Sequence, residues 1–460
     1  MKALSRDLSA PMSSSPLKPS DPEEERGHLV GLAFLALLVG MFAGLLGALF
    51  RLLLVHADLW RNTVIAWAHN WGLTGFVALI ITLAALVAFS AWMVRRFAPH
   101  ASGSGIPNVE AALDQRLEPA PVWRLIPVKF VGGALAIGSG LALGREGPSV
   151  QMGASAAHLV AQTWKRQWPD TRALIAAGAG AGLATAFNAP LAGAIFVLEE
   201  LYKRFETRIA IAALAASVTA IAVSRMLLGD APDFQVGPIP AVSDAAKPLF
   251  FVFGLLAGLL AVLYNTMLLG ALAVADRLAL VPVELRAGLI AAAVGVLAWF
   301  APALVGGGDQ ITQSVLAGGG SLTLLPLFFA IRLILGSASY AAGTPGGLFA
   351  PILVLGAQSG LFFGLLTDAA FPTLGVQPES FAVVGMAALF TGIVRAPLTG
   401  IVLTLEMTAN VTLVLPMLMA CFTAMVIPTL MGSAPIYDSL GKRIQISMAG
   451  KSLRRNTSDH

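Results

Sequence analysis

Two charged residues sit inside one of the most apolar stretches of this sequence. They belong to Gly144-Arg145-Glu146-Gly147-Pro148; the preceding run, Phe130 to Leu143, carries no charge, and the following run, Ser149 to Ala161, carries none beyond His158. An ionisable group at membrane depth costs several kcal/mol unless it is paired or faces a watery cavity, so it reads first as a functional residue. The glycines and the proline would break a helix there and leave backbone N–H groups beside the carboxylate. A broken helix with a carboxylate at the break suits an anion or proton pathway. A second acidic pair, Glu199-Glu200, closes the apolar run 173–198.

The elements that must hold these residues follow from composition. The chain has 460 residues, 57% hydrophobic and 12% charged, with a mean hydropathy of +0.80, whereas soluble domains carry about 25% charge. This implies an all-α polytopic membrane protein. The net charge of +4 comes from basic residues in tails and loops, which fits membrane topology and not nucleic-acid binding. One cysteine, Cys421, excludes a disulfide framework and a cysteine-based metal site; it is expected to face lipid or pack in the core. The six histidines are dispersed at 28, 56, 69, 100, 158 and 460. No metal motif, nucleophile elbow or phosphate loop appears, so no enzyme, metal or cofactor is expected.

Residues 1–27, rich in Ser, Pro and charge, cannot bury enough apolar surface to stay ordered and hold no secretory apolar core. They read as a disordered tail, and Val30 to Leu54 as the first span. Further apolar segments follow at about 72–94, 122–144, 150–164, 173–198, 208–228, 248–275, 284–305, 322–342, 346–371, 380–405 and 411–431. Several fall short of the roughly 20 residues that a spanning helix needs, and the 47 glycines suggest close packing and half-spanning helices. If the basic pairs Arg95-Arg96, Lys203-Arg204 and Lys442-Arg443 are cytoplasmic, both termini are too. The acidic, proline-rich stretch 229–247 would then be an outer loop joining halves of about 28–228 and 248–431.

Those halves repeat. Ala189-Pro190-Leu191-Ala192-Gly193 ending in Leu198-Glu199 matches Ala396-Pro397-Leu398-Thr399-Gly400 ending in Leu405-Glu406 at an offset of 207, which also relates Gly178 to Gly385. Gly144 and Pro148 match Gly347 and Pro351 at an offset of 203. Interrupted helices at corresponding places of two halves point to a midplane substrate site in a transporter.

Three glycine-proline segments, Gly103-Ser104-Gly105-Ile106-Pro107, Gly144-Arg145-Glu146-Gly147-Pro148 and Gly347-Leu348-Phe349-Ala350-Pro351, together with Tyr437, resemble the signature of the CLC family of chloride channels and chloride/proton exchangers. The resemblance runs from about Leu29 to Arg443 and is strongest to bacterial exchangers. It implies a CLC-type fold with an inverted-topology internal repeat and many tilted or half-spanning helices. Independently, a helix N-terminus offers unpaired N–H groups and roughly half a positive charge. Glycine lets an ion approach such an end, and proline in the first turn removes no needed donor.

The resemblance further implies that chloride is bound by the Ser104 and Tyr437 hydroxyls and by the backbone N–H groups of Leu348 and Phe349. Serine at 104 suits chloride, while relatives with proline there are associated with nitrate; fluoride-exporting relatives usually depart from the first two segments. Glu146 matches the gating glutamate, which occupies the outer anion position and swings aside when protonated. Glu200 matches the residue that passes protons from the inner solution in exchangers, where channels carry an apolar residue. Simpler readings stand beside these: Ser104 as a helix N-cap, Tyr437 as an interfacial tyrosine, Glu200 as a solvated helix end, Glu199 as a structural helix-end residue. Arg145 is expected to pair structurally with Glu110, and Lys129 to be a paired structural lysine. Asn108 stands where relatives often carry an acid, which bears on local pairing.

The expected function is therefore secondary active chloride/proton antiport, the alternative being a passive chloride channel of the same family. A bacterial inner-membrane homodimer is implied. A transmembrane domain over 28–443 and a short cytoplasmic tail over 444–460 would leave no room for paired nucleotide-binding regulatory domains, so no regulatory nucleotide is expected.

Overall fold

A computed structural model describes residues 22–446, within which the chain is helical and forms no strand. The helices are α1 (Pro22–His69), α2 (Gly72–Phe97), α3 (Ile106–Leu113), α4 (Val122–Gly138), α5 (Glu146–Thr163), α6 (Trp168–Phe187), α7 (Pro190–Phe196) and α8 (Thr207–Leu228) in the first half. The second half holds α9 (Pro248–Arg277), α10 (Val283–Phe300), α11 (Asp309–Leu316), α12 (Leu325–Ala341), α13 (Phe349–Ala370), α14 (Pro378–Val394), α15 (Pro397–Thr408) and α16 (Val414–Leu430). A last helix, α17, covers 436–446. Seven helical segments are long and apolar enough to cross a membrane, making this a multi-pass membrane protein. Others, such as the 8-residue α3 and α11, reach only about 12 Å at 1.5 Å per residue and can span no more than half of one.

Two boundaries differ from those read in the sequence. α1 begins at Pro22, so the last six residues of the expected tail are helical, and the helix runs on past Leu54 to His69; residues 1–21 and 447–460 lie outside the described residues. The apolar runs 173–198 and 380–405 are each two helices. Asn188 (φ 49°) and Arg395 (φ 73°) adopt left-handed backbone, and the prolines two residues later, Pro190 and Pro397, begin new helices. Hydropathy alone cannot register such a break, because both arms are apolar. Cys421 is buried in the core.

The halves pack by the same rule. A Cβ on Gly153 would strike the Gly178 carbonyl, and one on Gly356 would strike the Gly385 carbonyl, so α5 against α6 and α13 against α14 meet backbone to backbone as small residues permit. Glu199 accepts the N–H groups of Leu398 and Thr399 at 3.0 and 2.7 Å, and Glu406 accepts those of Leu191 and Ala192 at 3.0 and 2.8 Å. Each half thus caps the broken helix of the other, satisfying donors that no intrahelical carbonyl can reach.

Candidate functional site

The three glycine-proline segments are stitched together by backbone. Gly144 and Gly347 exchange N–H···O bonds of 2.9 and 2.7 Å in an antiparallel bridge, while Gly103 donates to Thr344 O at 3.0 Å and accepts from Gly346 N at 3.1 Å. These bonds bring the N-termini of α3, α5 and α13 to one place inside the protein, and α17 presents Tyr437 in its first turn.

Glu146, the first residue of α5, is wholly buried, and its Oε1 accepts the N–H of Phe349, first residue of α13, at 2.6 Å. Its Oε2 has no hydrogen-bond partner. The carboxylate lies in a cradle that only glycine permits, since a Cβ on Gly144 or Gly347 would collide with its oxygens. A carboxylate is therefore seated at the positive end of α13, where an anion is favoured. Leu348 is the N-cap of α13 and is buried. The Phe349 ring is fixed by aromatic neighbours: Phe390 at 4.6 Å, Phe196 at 5.8 Å, Tyr437 at 6.0 Å and Phe187 at 6.3 Å between centroids.

Ser104 and Tyr437 are wholly buried, their hydroxyls lie near each other, and no other residue bonds to either. Ser104 is not the N-cap of α3; Gly105 is, with φ 82°. Tyr437 is no interfacial tyrosine, since it is fully enclosed. The Ser104 turn opens on a cavity of ≈ 680 Å³ lined in part by Gly103, Gly105, Pro107, Tyr340 and Arg443. A separate cavity of ≈ 60 Å³ reaches Gly144 and Arg145 from the face that carries Asp58, Arg61 and Asp309.

Glu200 lies in a π-helical turn, Val197–Leu201, that continues α7; it is 5% exposed and therefore not a solvated helix end. Among the described residues it forms no salt bridge. Nearby Lys203 is engaged by Glu110 at 2.9 Å and Asp438 at 2.8 Å. Glu146 and Glu200 do not touch.

Two expected pairings are corrected. Arg145 pairs not with Glu110 but with Asp233 at 2.9 Å and Asp309 at 2.8 Å, and also donates to Ala186 O at 2.8 Å. Asp233, from the loop joining the halves, is shared with Arg51. Glu110, on α3, instead pairs with Lys203. Lys129, wholly buried, finds no carboxylate among the described residues; its Nζ donates to the carbonyls of Ala101 and Gly103 at 3.0 and 2.8 Å. It ties down the chain immediately before Ser104. Asn108 donates its side-chain N–H to His100 O at 2.9 Å, a neutral hydrogen bond at the start of α3.

Arg332 was missed by the sequence reading, although it stands 203 residues after Lys129. Buried like Lys129, it donates to Leu304, Gly306 and Gly307 carbonyls at 3.1, 2.8 and 3.2 Å. Those carbonyls precede Gly308 (φ 100°), the N-cap of α11, as those bound by Lys129 precede Gly105.

A family model described as voltage gated chloride channel matches residues 86–429. The chain belongs to the CLC family. It is 39% identical over 421 residues to the H(+)/Cl(-) exchange transporter ClcA of a Vibrio cholerae strain, covering 88% of both chains. A Klebsiella pneumoniae protein of the same name is 37% identical over 445 residues, covering 93% of both. The fold superposes on a slow cyanobacterial Cl-/H+ antiporter with a TM-score of 0.86 at 34% identity, covering 90% of this chain and 97% of that one. A CLC-type fluoride/proton antiporter shares the fold, with a TM-score of 0.76 at 22% identity.

Proposed function

We propose that this chain is a secondary active antiporter that exchanges chloride for protons, with Glu146 as the group that serves both ions. The observation that carries this reading is the Glu146 carboxylate bonded to the Phe349 N–H inside the Gly144–Gly347 cradle. The carboxylate occupies the position at a helix N-terminus that suits a monovalent anion. Protonation would remove its charge, weaken its hold on that N–H and release the position to chloride; chloride leaving would return the carboxylate. One group thus alternates between standing in for the anion and carrying the proton.

In this reading chloride is held by the hydroxyls of Ser104 and Tyr437 and by the N–H groups of Leu348 and Phe349. Dipoles and neutral donors bind an anion favourably yet release it readily, which transport requires. Glu200 passes protons between Glu146 and the solution on the face of Lys203; its burial without an ion pair supports a group held ready to gain and lose a proton. The similarity to exchange transporters along most of the chain supports antiport over passive conduction. We also infer a homodimer in a bacterial inner membrane with both termini cytoplasmic, placing the Arg95, Lys203 and Arg443 face inside.

The test is reconstitution into liposomes with a chloride gradient, following external pH at controlled voltage. Uphill proton movement driven by chloride is the expected outcome; robust chloride flux without it would leave a channel.

A further inference from the structure

The sequence holds four tyrosines, and three of them converge on the anion path from three helices. Tyr437 was read from the sequence; Tyr264 on α9 and Tyr340 on α12 were not. All three are buried, at 0%, 1% and 8% exposure. Tyr264, Tyr340 and Tyr437 lie within electrostatic reach of one another and of Glu146. Asn265, next to Tyr264, donates to Ala434 O at 3.2 Å and so fixes the segment leading into α17 against α9.

Tyr340 is tied to the Ser104 turn. Its Oη accepts the Ser104 N–H at 3.3 Å, and the ring covers Gly103 so closely that a Cβ there would lie 2.9 Å from the hydroxyl. Accepting that bond leaves the hydroxyl proton free to be donated. Tyr340 also lines the ≈ 680 Å³ cavity on which the Ser104 turn opens. The Tyr264 hydroxyl is buried without a partner, and those of Ser104 and Tyr437 have none but each other. A single orphaned buried hydroxyl is costly; three together, beside a fourth with a proton to give, mark a path built for something that accepts hydrogen bonds.

We propose that Tyr264 and Tyr340 are further anion-contacting residues, donating their hydroxyl protons to chloride as it moves between the cavity and the Ser104–Tyr437 pair. The inner part of the path is then a ring of four hydroxyls contributed by Ser104, Tyr264, Tyr340 and Tyr437. At Tyr340 the Ser104 N–H polarises the hydroxyl it bonds, strengthening its donation. Neutral donors replace part of the water shell of the ion without holding it as a lysine would. They also discriminate. Chloride accepts several hydrogen bonds at once, whereas the diffuse charge of thiocyanate gains less from each.

This rests on the anion path proposed above, and the experiment separates the two. Full-length wild type, Tyr264→Phe and Tyr340→Phe are purified, titrated with chloride by calorimetry, and compared in liposomes for chloride and thiocyanate flux. Each Phe variant is expected to bind chloride about three- to tenfold more weakly, the range for loss of one hydrogen bond, and to shift its flux ratio toward thiocyanate. A hydroxyl that only held the Ser104 turn in place would weaken both anions alike. Unchanged chloride affinity and flux ratio in both variants overturns the proposal, as does tighter chloride binding in Tyr340→Phe, which would mean that the hydroxyl only withholds the Ser104 N–H. Failure of the wild type itself to bind or move chloride would instead sink the antiport reading.

Discussion

The N-termini of α5 and α13 share a backbone and differ in chemistry. Residues 203 apart correspond: Gly144 with Gly347, Arg145 with Leu348, Glu146 with Phe349, Pro148 with Pro351. The two N-caps have nearly the same dihedrals, φ −82°, ψ −18° at Arg145 and φ −108°, ψ −18° at Leu348, and the glycines pair across an antiparallel bridge. On one side the next side chain is a carboxylate with a free oxygen; on the other it is a ring wedged among four aromatic rings. Two opposed positive helix ends therefore face one carboxylate. A second acid would repel the first, and none at all would leave no group to exchange with the anion. The scaffold is duplicated, and in the proposed function the departure from symmetry that matters is the acid at Glu146, which serves both ions.

Removing that departure has the largest expected effect. Glu146→Ala should abolish proton movement in liposomes while chloride flux persists; coupling that survives the change would refute the central role of Glu146. The next contrast lies at the far ends of the broken helices, where Glu200 corresponds at an offset of 207 to Met407. Both are buried, but Met407 accepts a bond from Phe234 of the inter-half loop whereas Glu200 lies beside Lys203. Glu200→Gln should lower proton movement about 10²-fold or more, the scale on which positioned proton-transfer groups act, with chloride flux retained. Equal loss of both ions would make Glu200 structural.

Much of this was legible in the sequence, and the remainder was not for identifiable reasons. The repeat could be read from Ala189–Glu199 against Ala396–Glu406, because prolines, glycines and acids at broken helix ends are few and chemically constrained. The offset of 203 was seen only at Gly144 and Pro148, yet it also relates Gly103 to Gly306, Gly105 to Gly308 and Lys129 to Arg332. Following it would have located Arg332. The partners of Arg145 could not be read this way. Asp233 and Asp309 come from 88 and 164 residues away, through a loop and a short helix whose placement depends on the packing of both halves. Tyr264 and Tyr340 sit in plain apolar helices, and only tertiary structure bonds the Tyr340 hydroxyl to Ser104 and brings Tyr264 near Tyr340 and Glu146.

Lys129 and Arg332 sharpen the comparison at a smaller scale. Each buried cation holds the carbonyls before a left-handed glycine that starts a short helix, yet only the Lys129 turn carries Ser104; its counterpart is Gly307. Lys129→Met and Arg332→Met should each destabilise the protein by about 1–3 kcal/mol, since each strips buried carbonyls of their donor, read as a lower thermal midpoint in detergent. Chloride affinity by calorimetry should fall in Lys129→Met and hold in Arg332→Met. Equal losses would mean that the turns serve stability alone.

The reciprocal caps give the finest contrast. Glu199 and Glu406 each accept two backbone N–H groups of the opposite half, but Glu199 also accepts the Thr399 hydroxyl at 2.7 Å, where the equivalent residue, Ala192, has none to offer. Replacing either by Gln leaves one amide oxygen for donors that a carboxylate served with two. The loss expected is about 1 kcal/mol for Glu406→Gln, on the scale of helix capping, and about twice that for Glu199→Gln, where a hydroxyl is also stranded. Thermal unfolding of the two variants beside wild type measures the difference. Should Glu406→Gln prove the more damaging, the caps are not equivalent supports of two like halves, and the inter-half loop against Met407 must carry load that the symmetry of the caps conceals.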